Sequence, residues 1–199
     1  MARDSLHICM GTAFLLLFLL SILSGCTGQE SAQDLLINDL YSGDAAQQRV
    51  AAESLSKMGE PAVQPLTGVL SSGDKAASTW AAVALCQIGE PAVGPLTGLL
   101  GSDDSDTRKW AINCLACIGL PAITPLIEEL GSSDEVSSQS AGVALIKIGT
   151  PAIPFLKMQV DTGDTNMKAK ANAIILSISA TEGLHERLNN ETAGNVSTV

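Results

Sequence analysis

The tetrapeptide Gly59-Glu60-Pro61-Ala62 returns as Gly89-Glu90-Pro91-Ala92, as Gly119-Leu120-Pro121-Ala122 and as Gly149-Thr150-Pro151-Ala152, at one constant interval and without insertion. A fixed period of this length is the signature of one supersecondary unit stacked on its own copies. With units set at 31–60, 61–90, 91–120, 121–150 and 151–180, further columns align. Leu36, Leu66, Leu96, Leu126 and Leu156 share one position, and Asp44, Asp74, Asp104, Asp134 and Asp164 a second. Ala51, Ala81, Ala111, Ala141 and Ala171 form a third, and Leu55, Leu85, Leu115, Leu145 and Ile175 a fourth. All eight prolines fall at the unit junctions.

Each unit reads as two helices. In 61–90, Pro61 and Pro65 suit the first turn of a helix, where a missing N–H costs nothing. Leu66, Val69 and Leu70 follow at helical spacing, and Ser71-Ser72-Gly73 ends the run. Asp74 is placed to accept hydrogen bonds from the free N–H groups of a second helix. Ala81, Leu85 and Ile88 recur at i, i+4 and i+7, a narrow apolar stripe. Gly89 is expected to supply the left-handed residue that closes that helix. The Ala column lets neighbouring helices approach to the short end of the ~8–10 Å range. No single helix pair can bury its stripe, so the units must stack.

Composition agrees. The chain is 46% hydrophobic but only 3% aromatic, so its core must be built from Ala, Leu, Ile and Val. The pattern Ile-Gly-x-Pro-Ala-(Val/Ile)-x-Pro-Leu, with Asp before the second helix and Ala-x-x-x-Leu within it, resembles HEAT repeats, closest to the short HEAT-like variety of phycobilisome lyases. The resemblance implies an all-α fold, a right-handed α-α superhelix (HEAT-like solenoid) of five 30-residue two-helix repeats over residues 34–180. Helix-packing distances give such a stack a length of roughly 45 Å. HEAT units often carry Arg three residues before the Ala column. Here those positions hold Gln48, Ser78, Arg108, Ser138 and Lys168, so an Asp–Arg ladder is expected only around Arg108 and Lys168. The first unit lacks the prolines, and the last has Ser179 for Gly and Pro154 for the second Pro. Terminal units commonly depart in this way, as caps. Residues 181–199 are read as a capping turn through Leu184 and Leu188 followed by a disordered tail.

Residues 1–25 read as an export signal. Arg3 precedes an apolar run from Ile8 to Leu23, and the segment ends Leu23-Ser24-Gly25-Cys26. This resembles a prokaryotic lipobox, which implies lipidation at Cys26 and a polar tether over residues 26–33. An anchor helix left uncleaved is the competing reading. Either way the remainder is exported, and the expected location is the cell envelope, as an extracytoplasmic, membrane-anchored lipoprotein of a prokaryote.

Catalytic constellations are scarce. The only histidines are His7, in the leader, and His185, in the tail, which argues against Ser–His or Cys–His catalysis and against a His-rich metal site. Cys114-x-x-Cys117 lies within a helix rather than at its N-terminus, where a thiolate would be stabilised. Cys114 replaces a small residue and Cys117 a surface one; a redox role and a disulfide to Cys86 both stay open. Asp103, Asp104, Asp106, Asp134 and Glu135 sit at inter-helix turns but lack an EF-hand pattern. No metal and no cofactor are expected. With 11 Lys+Arg against 21 Asp+Glu, a net charge of −10 argues against nucleic acid.

Trp80 and Trp110 share one repeat position, immediately before the Ala column, on neighbouring second helices. They serve either as inter-repeat packing or as an aromatic ridge on the inner, second-helix face, flanked by Thr79, Val83, Lys109 and Asn113. The function so implied is a non-catalytic scaffold that binds a protein or peptide partner through that face, held to the membrane by a lipid anchor, with no small-molecule substrate. The alternative, implied by the lyase resemblance, is a lyase-like or chaperone-like protein handling a tetrapyrrole or other small ligand.

Overall fold

The computed structural model describes residues 31–196, with side chains through residue 183. The leader, Cys26 and the start of the tether lie outside the described residues, as do the side chains of Leu184, His185 and Leu188. From Leu36 onward the described residues belong to one compact unit. At the start of the first helix, Ser31 Oγ accepts from the Asp34 N–H at 3.2 Å while the Asp34 carboxylate accepts from the Ser31 N–H at 3.1 Å. This reciprocal cap does the work that Gly-x-Pro does elsewhere. It starts the helix at Ala32, so the last two tether residues are helical rather than linker.

Ten helices follow in order among the described residues: α1 Ala32–Leu40, α2 Ala45–Met58, α3 Glu60–Leu70, α4 Lys75–Ile88, α5 Val93–Thr97, α6 Ser105–Ile118, α7 Leu120–Leu130, α8 Glu135–Ile148, α9 Ile153–Thr162 and α10 Thr165–Val196. They form the five two-helix units. From α3 onward the first helices pack on one another in sequence, α3 on α5, α5 on α7 and α7 on α9. The second helices do the same from α2 through α4, α6 and α8 to α10. The core lies between these two layers. The Ala column is at most 1% exposed, and Leu66, Leu96, Leu126, Leu156, Leu55, Leu85, Leu115 and Leu145 are fully buried. Leu36 and Ile175, in the outermost units, are only partly buried.

The junction glycines do more than expected. Gly59, Gly89, Gly119 and Gly149 have φ of 72°, 76°, 75° and 79°, but ψ between −122° and −144°. That is not the left-handed helical basin predicted for Gly89. It is a region essentially closed to side-chain-bearing residues. The Gly89 N–H closes α4 on the Leu85 carbonyl at 3.1 Å, and the Gly89 carbonyl accepts from the Ala92 N–H at 2.9 Å. One residue therefore ends one unit and starts the next. The Ala of each tetrapeptide turns its N–H back on that glycine, and all four are fully buried.

All five column aspartates cap the second helices, as the sequence predicts. Asp74 Oδ1 accepts from the N–H groups of Ala76 and Ala77 at 2.9 Å each, and Asp44, Asp104, Asp134 and Asp164 act alike. Ser72, Ser102 and Ser132 each accept from the N–H of the Asp two residues later, a turn the columns did not disclose. Pro65 and Pro125 lie inside α3 and α7, not in the first turn. The first helix of the third unit is the shortest. Gly94 and Gly98 each cost about 1 kcal/mol in a helix, and the segment becomes a 3₁₀ turn over Glu90–Ala92, a five-residue α5 and a run of turns. The last helix continues past residue 180 to Val196 instead of ending in a single turn. Ser179 stands where a junction glycine would have stopped it.

Cys86 and Cys117 form a disulfide between α4 and α6, with a Cα–Cα distance of 5.9 Å. Of the two alternatives left by the sequence, this is the one the fold adopts. Cys114 faces the core and is free. Its thiol is pushed up to about 12 by burial, so it is not a nucleophile at neutral pH.

A Cβ added at Gly119 would meet nothing within 4 Å, so Gly119→Ala tests the backbone alone. It is expected to cost about 1–3 kcal/mol. Gly68→Ala, in the exposed interior of α3 and equally unobstructed, is expected to stabilise by about 0.5–1 kcal/mol. Thermal melts of the two variants check the contrast. Removing the bridge in a Cys86→Ser/Cys117→Ser variant is expected to cost up to about 3–4 kcal/mol on loop-closure grounds. Melts of the wild type with and without reductant should show the same loss, with Cys114 resisting thiol labelling until the chain unfolds.

Candidate functional site

The candidate residues lie on two adjacent second helices, Thr79, Trp80 and Val83 on α4 and Lys109, Trp110 and Asn113 on α6. Their packing neighbours decide what each can do. Three of the four column residues from Gln48 to Ser138 are buried, and all four donate to carbonyls at the end of the first helix of their own unit or in the turn that follows it. Gln48 Nε2 donates to the carbonyls of Leu40 and Ser42 at 2.9 and 2.6 Å. Ser78 donates to the Val69 carbonyl at 3.1 Å and Ser138 to the Leu130 carbonyl at 2.7 Å. Arg108 gives its guanidinium to the carbonyls of Ser102 and Asp103. The expected Asp–Arg ladder is therefore absent at Arg108. The column satisfies the carbonyls that a helix C-terminus leaves free, and a short hydroxyl does this as well as a guanidinium.

This column separates the two tryptophans. The Trp80 indole N–H donates to Gln48 Oε1, in the preceding unit, at 2.9 Å. Lys170 occupies the same repeat position in the last unit, and its Nζ reaches back to Ser138 Oγ at 2.6 Å and to the Leu130 carbonyl at 3.1 Å. These two side chains clasp the second unit to the first and the fifth to the fourth. For Trp110 the corresponding residue of the preceding unit is Ser78, whose hydroxyl donates to the Val69 carbonyl and is not hydrogen-bonded to the indole. Trp110 is half-buried, and its exposed edge lines two adjoining hollows.

One hollow, of about 210 Å³, brings Lys109, Trp110 and Asn113 together with Lys75 and Asp106. The next along the layer is lined by Lys109, Ile112, Asn113, Val143 and Lys147. Lys147 Nζ donates to Asn113 Oδ1 at 3.1 Å, tying α8 to α6. Thr79 and Val83 stand exposed on α4, with the Thr79 hydroxyl turned to the Lys75 carbonyl at 2.7 Å. Sequence reasoning missed Lys75, Val143 and Lys147. The repeat register could have found Val143, which shares its position with Val83 and Asn113.

Lys109 and Asp106 form an ion pair at 2.8 Å, both more than half exposed, and such pairs contribute about 0–1 kcal/mol. The carboxyl of Asp104 is held below its usual value by the Thr107 hydroxyl and then by the Thr107 N–H. Its oxygens are committed to the helix end. Among the described residues no group of three His, Cys, Asp or Glu side chains is placed to hold a metal ion. Nor is any single described helix long and apolar enough to cross a membrane.

The search of curated proteins found no match. Among solved structures the chain is similar to an engineered protein at 24% identity, covering 74% of this chain and 79% of that one, with a TM-score of 0.30. It is also similar to the complex of CpcE and CpcF of phycocyanin lyase from Nostoc sp. PCC7120, at 17% identity over 72% and 98% of the two chains, with a TM-score of 0.39. An archaeal HEAT-like repeats protein from Thermococcus onnurineus NA1 shares 15% identity over 76% and 72%, with a TM-score of 0.35. The family model described as HEAT repeats matches residues 63–146, the three central units.

Proposed function

We propose that the chain is an exported, membrane-anchored, non-catalytic HEAT-repeat scaffold that binds a protein or peptide through its second-helix face. The observation that carries the reading is the exposed, uncommitted edge of Trp110 between Lys75, Lys109 and Asn113. A half-buried Trp flanked by polar groups is the usual form of an energetic anchor at an interface. The hollows beside it, at about 210 and 190 Å³, fall short of the ~300–1,000 Å³ of small-molecule sites, which favours a partner that lies across the surface. Trp80 belongs to the clasp between units, so the binding role rests on Trp110, Lys109 and Asn113, with Thr79 and Val83 at the margin.

Export draws support from two independent features. The leader ends in a lipobox-like Leu23-Ser24-Gly25-Cys26. The Cys86–Cys117 bridge involves an exposed Cys117, and such bridges persist in oxidising compartments. A lipid on Cys26 would then hold the repeats at the membrane surface.

Capture from solubilised membranes should recover a partner with the wild type, and Trp110→Ala should weaken that recovery by about tenfold or more, while Trp80→Phe leaves it largely intact. Equal recovery with Trp110→Ala would refute the site. Mass spectrometry of the mature N-terminus is expected to find an acylated Cys26, and Cys26→Ala should retain the leader. An unmodified terminus elsewhere would remove the anchor.

A further inference from the structure

Charge is divided unequally between the two helix layers. From residue 36 to residue 183 there are nine Lys and Arg, and only Lys157 lies on a first helix. The first helices over the same span carry Asp39, Glu60, Glu128, Glu129 and Asp161, and Glu90 opens the 3₁₀ turn before α5. The second helices carry Glu53, Asp106, Glu135 and Glu182 and start at the five capping aspartates, so the layers differ in where their cations lie rather than in the sign of their net charge. Among the second-layer cations, Arg108 and Lys170 are consumed by carbonyls. Lys75, Lys109 and Lys147 are exposed. They stand on α4, α6 and α8, which pack in that order, and the two hollows that share Lys109 and Asn113 join them into one trough beside Trp110.

We infer that this trough takes an acidic peptide segment in extended form, with one aromatic or aliphatic side chain seated on Trp110. The inference rests on the binding role proposed for that face and adds the chemistry of the partner. Two helix spacings of ~8–10 Å, combined with the twelve-residue axial offset between Lys75 and Lys147 at about 1.5 Å per residue, place the outer lysines about 25 Å apart, the span of about eight extended residues. Asp106, the carboxylate that lines the trough, is paired with Lys109, so Lys75 and Lys147 carry the excess positive charge there, while Asp104 caps α6 and Glu135 accepts from Gln139. The net charge of −10 does not oppose this, because screening at physiological salt confines a charge's reach to about 8 Å. The local lysines decide. A phosphate polymer fits less well, since its affinity comes from many phosphate contacts and gains nothing from an apolar anchor.

The probe is a fluorescein-labelled octapeptide of Asp and Glu with one central Phe, titrated against the full chain in detergent. Controls are the same peptide with Lys for every acid, a neutral Ser version, and vesicles containing phosphatidylglycerol. The acidic peptide should bind at least tenfold tighter than the other two and weaken as salt rises. A Lys75→Glu/Lys109→Glu/Lys147→Glu variant, its fold checked by circular dichroism, should lose binding by at least a hundredfold. Trp110→Ala should lose about tenfold, with partial rescue by Trp110→Phe. Equal binding of the basic or neutral peptide, or no effect of charge reversal, overturns the inference. So does competition in which anionic vesicles displace the peptide and bind the wild type more tightly. If no peptide binds while partner capture still depends on Trp110, the acidic assignment falls and the scaffold reading stands. If Trp110→Ala also leaves capture unchanged, both fall.

Discussion

Everything in the stack depends on four glycines held at φ between 72° and 79° and ψ between −122° and −144°. A solenoid needs the same angle between successive units, and here that angle is set by one residue rather than by a loop. Because its N–H closes the helix before and its carbonyl opens the helix after, no slack remains between them. The following Pro forgoes a donor that the helix start leaves unpaired anyway. The Ala after it is small enough to disappear into the core. The tetrapeptide is one piece of geometry, and each of its members is chosen by a different constraint.

A second regularity acts across units. The residue three before the Ala column donates to carbonyls at the end of the first helix of its own unit or in the turn after it, and at two joints the residue just before that column reaches back to it from the next unit. Gln48 with Trp80, and Ser138 with Lys170, are chemically different solutions to one geometric task. Gln48 can do both jobs because an amide donates at one atom and accepts at the other. Ser78 donates to Val69 just as Ser138 donates to Leu130, but among the described residues no donor from the next unit hydrogen-bonds to it, and the edge of Trp110 stays at the surface.

Much of this was legible in the sequence, for a physical reason. Repetition averages out local accident, so the Asp, Ala and Leu columns reported caps and core directly, and the half-buried Leu36 and Ile175 are where a stack runs out of neighbours. What escaped reading depended on pairings outside one unit or on torsions no letter encodes. Gly89 signalled positive φ but not its ψ. Cys114 and Cys117 look like partners in the sequence, yet helical geometry points one at the core and the other at Cys86, one unit away. The shortness of α5 was visible in Gly94 and Gly98 but was masked by the columns around them. Of the candidate residues, the shared repeat position of the two tryptophans was visible in the sequence, while their different hydrogen bonding and the neighbouring Lys75 and Lys147 needed the adjacent helices in place.

The disulfide has a mechanical consequence. Repeat stacks flex like springs, with small rotations shared among many identical joints. The bond between Cys86 and Cys117 pins a single joint, that between the second and third units, which is also the joint that sets Lys75 against Trp110 and Lys109. The other joints are held by packing and by hydrogen bonds such as Trp80–Gln48, Lys147–Asn113 and Lys170–Ser138, with no covalent tie among the described residues. The stiffest coil of the spring is therefore the one that presents the anchor, so a partner would meet it already in register and would spend little of its binding energy on ordering it.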